Sequence, residues 1–126
     1  MEFNHFLTSY MPNVNIGSKV HFENMLKESV LAEKCGYATV SIPEHHLINL
    51  LMMPSPLQMA VKIASITKKI NITTGIVVLP IHDMRTYAGE VTTADILTDG
   101  RLILGVGRGA FPVSYTHLRA HETFAN

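Results

Sequence analysis

The sequence alternates strand-like apolar runs with segments of helical periodicity, and the connections between them are short. The apolar runs are Phe3–Leu7, Ala38–Ile42, Asn71–Leu79 and Arg101–Val106. One strand followed by three helix–strand repeats predicts right-handed crossover units and a parallel sheet. The nearly continuous apolar run at Asn71–Leu79 is typical of a parallel strand covered on both faces. The chain is therefore predicted to be an α/β protein.

Three helices are predicted between these strands. The first has an apolar face at helical spacing, made by Phe22, Met25, Leu26 and Val30. Gly36 follows it, where a left-handed residue commonly ends a helix. The second begins at Pro56 with Ser55 as N-cap. The third runs from about Asp83 to Thr98, with an inward face of Met84, Ala88 and Val91.

Composition excludes several classes of protein. Ten Lys and Arg balance ten Asp and Glu, which leaves no electrostatic footprint for nucleic acid or an anionic membrane. The chain is 47% hydrophobic and 16% charged, which excludes a disordered chain. A single cysteine, Cys35, fits a reducing cytoplasm. Glu2 with no basic region argues against a signal peptide, and Leu47–Val61 is too short and proline-broken to span a bilayer.

The end of the chain departs from the α/β pattern. Residues 113–123 read VSYTHLRAHET, which resembles a translated sequencing adapter; the alternative is an ordinary polar tail. We therefore expect a domain over residues 1–112 and a non-native tail over residues 113–126. On this interpretation His117, Arg119 and His121 carry no functional weight.

Polar or glycine-rich residues follow three of the predicted strands, where α/β proteins usually place their chemistry. The run Pro43–His46 could bind a metal, transfer protons or be a structural loop. Metal binding is the weakest of these readings, because neighbouring side chains diverge and no third ligand has useful spacing. No metal site is therefore predicted.

Two glycine features accompany this loop. Gly75 inside a strand marks either a packing contact or a close approach of the backbone to another group. At Gly105–Gly109, backbone amides could approach an anion, and Arg108 could contact phosphate. The same run weakly satisfies a dinucleotide fingerprint, although three strand–helix units precede it and no suitable helix follows.

Together, these stretches resemble the bacterial luciferase-like superfamily of flavin-dependent oxidoreductases. The matching runs are AEKCGYATVSIPEHH, PSPLQMAVKIASITKKINITTGIVVLP and AGEVTTADILTDGRLILGVGRGAF. The resemblance implies that residues 1–112 are the N-terminal half of a TIM-type (β/α) barrel, truncated after four parallel strands and three helices. It also implies FMN, or a deazaflavin coenzyme, at the carboxyl-terminal mouth of the strands.

The resemblance assigns roles to individual residues. His45 matches the active-site histidine of the family, with His46 as its neighbour. Gly75 and Ile76 match a non-prolyl cis peptide that bulges under the isoalloxazine ring. These three assignments predict one site for proton transfer and flavin binding.

Two further matches and one departure complete the comparison. Gly107 matches a position near the reactive edge of the flavin where luciferase has cysteine, which argues against light emission. Arg108 matches the arginine that contacts the FMN phosphate. Asp83 and Met84 stand where many members have His-Pro, which leaves the role of His82 open.

The expected function is that of a flavin-dependent monooxygenase that oxidises a small organic substrate with reduced FMN and dioxygen. A separate flavin reductase would supply the reduced FMN, and the full-length protein is expected to be a homo-oligomer. The alternatives are a non-catalytic flavin-binding or orphan barrel fragment, a deazaflavin-dependent oxidoreductase and, less favoured, a dinucleotide-binding domain. The truncated chain alone is expected to be inactive.

Overall fold

The computed structural model describes residues 1–109 and has an α/β architecture of parallel strands and three α-helices. The strands are β1 (Asn4–Phe6), β2 (Thr39–Ile42), β3 (Asn71–Thr74), β4 (Val77–Val78), β5 (Leu102–Ile103) and β6 (Val106–Gly107). The α-helices are α1 (Ser18–Lys34), α2 (Pro56–Ile66) and α3 (Met84–Leu97). The predicted domain boundary at residue 112 and the predicted tail lie outside the described residues.

The main sheet is parallel throughout, in the order β1–β2–β3–β5. One of its faces packs against helices: Val40, Ile42 and Ile72 are fully buried there, in a cluster with residues of α1 and α2. Phe6 lies on the opposite face and is 54% exposed, and Ile103 on the same face is 46% exposed. This open face is the one that points inward when a (β/α) barrel closes.

The runs predicted as single strands at Asn71–Leu79 and Arg101–Val106 are each divided in two. The first breaks at a cis peptide between Gly75 and Ile76, and β4 and β6 then form a separate parallel pair. At the break the Thr74 hydroxyl donates to the Gly105 carbonyl (2.8 Å) and accepts from the Gly105 amide (2.9 Å). At this point the Thr74 side chain takes the place of the backbone hydrogen bonds that would otherwise join the two neighbouring strands.

The helices occupy the predicted segments but differ in detail. Gly36 has the predicted left-handed backbone (φ 81°) after α1. Ser55 precedes α2 as expected, yet its side chain makes no capping hydrogen bond. The inward face predicted for α3 is confirmed for Val91, which packs against a buried cluster, but it is wrong for Met84, which is 44% exposed, and for Ala88, which is also exposed. The helix instead buries Tyr87 and Ala94 in a cluster with Leu57 and Val77.

A carboxylate stabilises the turn between α2 and β3. Glu33 Oε1 accepts hydrogen bonds from the backbone amides of Lys68 (2.8 Å), Lys69 (2.6 Å) and Ile70 (3.0 Å). Its slight burial acts to raise the pKa of Glu33, but the three amides and then the charge of Arg101 outweigh it, so the pKa lies below 4.5. The ionised form is therefore favoured in the folded state.

We expect Glu33→Gln to lower the free energy of unfolding at pH 7 by about 1 kcal/mol, because the charged acceptor of three amides is lost. Since folding lowers the pKa of Glu33, this stabilisation is present above pH 4.5 and disappears as pH falls through the folded-state value. Urea unfolding of the intact protein across this pH range measures it. Glu23→Gln on α1 is the control, because that carboxylate lies 3.9 Å from the exposed ammonium of Lys19 and such surface pairs contribute little. Equal effects of the two substitutions would contradict the prediction.

Candidate active site at the carboxyl ends of the strands

A buried carboxylate organises the loop that follows β2. The side chain of Glu44 is 0% exposed, and its Oε1 lies 2.8 Å from His46 Nε2 and 2.7 Å from His82 Nε2. Its Oε2 accepts a hydrogen bond of 2.6 Å from the amide of Val78 in β4. Glu44 therefore joins the loop after β2 to β4 and to the segment that precedes α3.

His82 has a second contact, on its ring face. It stacks on Tyr87, with ring centroids 4.1 Å apart and an interplanar angle of 29°. Burial, followed by the negative charges of Glu44 and Glu90, raises the pKa of Tyr87 to about 12, so the phenol is neutral at physiological pH. His82, whose role the sequence left open, thus contacts both Glu44 and Tyr87, and Tyr87 was not predicted to lie near the site.

His45 lies in the same loop, and its backbone amide donates to the Met53 carbonyl (2.9 Å). Burial, followed by the nearby charge of His46, lowers the pKa of His45 below 6.5, although Glu44 acts in the opposite direction. The imidazole is therefore neutral near pH 7 and can accept a proton. His45 lines a cavity of about 580 Å³ together with residues from the segment after β1, such as Met11, and from the segment after β2, such as His46.

The structure also brings together the three residues expected at the flavin ring. The Gly75–Ile76 peptide is cis, as predicted, and the Gly75 amide donates to the Ile42 carbonyl (2.7 Å). Gly107 pairs with Val78 across β4 and β6. The Ile76 side chain reaches over Gly107 so closely that a Cβ there would overlap the Ile76 Cδ1 atom.

These residues form a surface suited to a flat aromatic ligand with an anionic tail. Ile76 is 36% exposed and Val106 is 46% exposed, beside the backbone of Gly107, which carries no side chain. Arg108 follows directly and is exposed, which places a cation at the end of this apolar surface. The chemistry of the set fits a flavin with its phosphate.

Other kinds of site find less support in residues 1–109. No group of three or more histidine, cysteine, aspartate or glutamate side chains there could hold a metal ion. Within the same residues, no helix has the length and apolar character needed to cross a membrane.

Comparisons with known proteins agree with this geometry. The family model described as luciferase-like monooxygenase matches residues 1–125. The alkanal monooxygenase alpha chain of Photorhabdus laumondii is 30% identical over 111 residues, and the oxygenase component of the flavin-dependent trigonelline monooxygenase of Acinetobacter baylyi is 31% identical over 97. These matches cover 88% and 77% of the present chain, respectively.

A solved structure extends the comparison to the fold. The oxygenating constituent of 3,6-diketocamphane monooxygenase from Pseudomonas putida, determined in complex with FMN, matches with a TM-score of 0.85 and 27% identity over 93% of the chain. The chain spans 32% of that structure, and 31% and 27% of the two relatives above. It therefore corresponds to about a third of each of these proteins.

Proposed function

The chain belongs to the luciferase-like monooxygenase family, and from this we propose that it is the N-terminal part of a monooxygenase that uses reduced FMN and dioxygen. One observation carries the proposal: the Ile76 side chain lies directly over Gly107, next to Gly75, near the carboxyl end of β3. In parallel α/β folds the ligand lies at this edge. The substrate is proposed only as a small organic molecule.

Each of the described site residues would have a separate role in such an enzyme. Gly75, Ile76 and Gly107 would support the ring of the flavin, and Arg108 would hold its phosphate. When bound, reduced FMN supplies the electrons with which dioxygen is activated. The apolar side chain of Ile76 would keep water away from the ring. Water and protons that reach the ring would favour side reactions that consume dioxygen without oxidising the substrate. His45, neutral near pH 7, would control proton transfer beside it.

The partners of the whole protein are also proposed. The matching proteins include one described as an oxygenase component and one described as an oxygenating constituent, which supports a separate reductase that delivers reduced FMN. We propose that the full-length protein is also a homo-oligomer. The 126-residue chain by itself is proposed to be inactive, since a closed (β/α) barrel needs eight strand–helix units.

Flavin binding tests the proposed function. We expect Gly107→Ala to raise the Kd for FMN about tenfold, or about 1.4 kcal/mol, because the added Cβ displaces the Ile76 side chain that would lie under the ring. Fluorescence titration of the intact protein with FMN, and in parallel with a deazaflavin coenzyme, measures this.

Gly89→Ala is the matched control, because nothing lies within 4 Å of a Cβ at Gly89 on α3. FMN affinity should be unchanged in this variant. Tighter binding of deazaflavin than of FMN would reject the cofactor assignment. An unchanged Kd in Gly107→Ala would reject the binding surface.

A further inference from the structure

The hydrogen bonds of Glu44 restrict where protons can lie in this part of the molecule. The amide of Val78 can only donate, so Glu44 Oε2 acts as an acceptor. Two imidazole nitrogens then share Oε1, His46 Nε2 at 2.8 Å and His82 Nε2 at 2.7 Å. An ionised carboxylate accepts hydrogen bonds and donates none, and both nitrogens lie at charge-assisted hydrogen-bond distance.

We propose that Glu44 is a positioning residue that fixes the tautomer of two histidines. His46 and His82 must each carry a proton on Nε2 in order to donate to the same carboxylate oxygen. Each neutral ring therefore keeps Nδ1 as its only basic nitrogen. The carboxylate thus decides which nitrogen of each ring can take part in proton transfer.

The surroundings of the cluster make this arrangement specific. His82 is held on its ring face by Tyr87, with ring centroids 4.1 Å apart, which fixes the plane in which the imidazole meets the carboxylate. Burial of the Glu44 side chain excludes water, which could otherwise supply substitute donors. The two rings come from different segments of the chain: His46 lies two residues after Glu44, and His82 lies 38 residues after it. One carboxylate therefore sets the proton position on two rings that belong to different loops.

The catalytic consequence rests on the proposed function. In the monooxygenase reaction, His45 would exchange protons near the flavin, and the unprotonated Nδ1 atoms of His46 and His82 would be the groups that accept protons in this part of the site. A ring with the wrong tautomer presents a donor where an acceptor is needed, and in serine proteases such an error is costly.

Glu44→Gln tests the proposal because the amide has the shape of the carboxylate but different hydrogen-bonding atoms. Its oxygen must still accept from the Val78 amide, so its NH₂ group faces the two rings and donates to both Nε2 atoms. We expect His46 and His82 to switch from the Nε2–H to the Nδ1–H tautomer, which ¹⁵N–¹H correlation spectra of labelled histidines in the intact protein report directly. The yield of oxygenated product per reduced FMN should fall about tenfold or more.

The wild-type spectrum decides the proposal even if the variant does not fold, because a neutral wild-type ring protonated at Nδ1 and not at Nε2 would overturn it. Unchanged tautomers in a folded Glu44→Gln protein would overturn it too, as would a switch with no loss of product. Glu28→Gln is the control, since that carboxylate contacts a different histidine, His5 Nε2, at 3.5 Å and should leave both rings unchanged. The tautomers are recorded in the cofactor-free protein, so a failure of the proposed function would leave this result interpretable.

Discussion

Replacing Gly105 with alanine is expected to lower the free energy of unfolding of the intact protein by about 3 kcal/mol. A Cβ at Gly105 would overlap the carbonyl oxygen of Thr74, which belongs to the backbone and cannot rotate away. To make room, the strands must separate, which disrupts the paired hydrogen bonds of the Thr74 hydroxyl and the 2.8 Å bond from the Val77 amide to the Gly105 carbonyl. Chemical denaturation measures the change.

Gly89→Ala is the control for this substitution and should shift stability in the opposite direction. Gly89 lies inside α3 with no atom within 4 Å of an added Cβ, so alanine gains helix propensity of about 1 kcal/mol without steric cost. If Gly105→Ala were as stable as the wild type, the close approach of the two strands would not constrain the fold.

Replacing His45 with alanine is expected to reduce oxygenated product about 10²-fold or more, the usual scale for loss of a general acid or base. The melting temperature should stay nearly unchanged, because the backbone bond from His45 to Met53 does not depend on the side chain. Product analysis and thermal unfolding of the same preparations separate the two effects. Equal loss of stability and activity would instead indicate a structural histidine.

The pH dependence of the wild type provides a second measurement on His45. Since burial holds its pKa below 6.5, the basic form predominates at pH 7, and activity should fall as pH drops through the lowered pKa. The His45→Ala variant should lack this acidic limb. His5→Ala, at a partly exposed position on β1, should keep both the limb and the yield.

Much of the architecture follows from local sequence. Apolar runs and helical spacing located the parallel strands and all three α-helices of residues 1–109, because strand and helix periodicities are properties of neighbouring residues. The end of α1 at Gly36 could also be predicted from local sequence, since only a residue without Cβ readily adopts the left-handed backbone found there. The matching motifs also identified Gly75, Ile76 and Gly107, which the structure brings together.

The tertiary structure decided the rest. Thr74 and Gly105 meet across two strands, and this contact divides runs that read as continuous in the sequence. The inward face of α3 was predicted only in part, because Tyr87 packs with Leu57 of α2 and Val77 of β4, and no periodicity within α3 reveals that contact.

The same distinction applies to the site. From the sequence, Glu44 was a neighbour of two histidines and His82 was a residue without an assigned role. The parallel register brings the ends of β2 and β4 together, and only then does one buried carboxylate lie 2.8 Å from His46 and 2.7 Å from His82. Local spacing determines which elements form, whereas a hydrogen bond between residues 38 positions apart depends on how those elements pack, because burial and distance are properties of the folded chain.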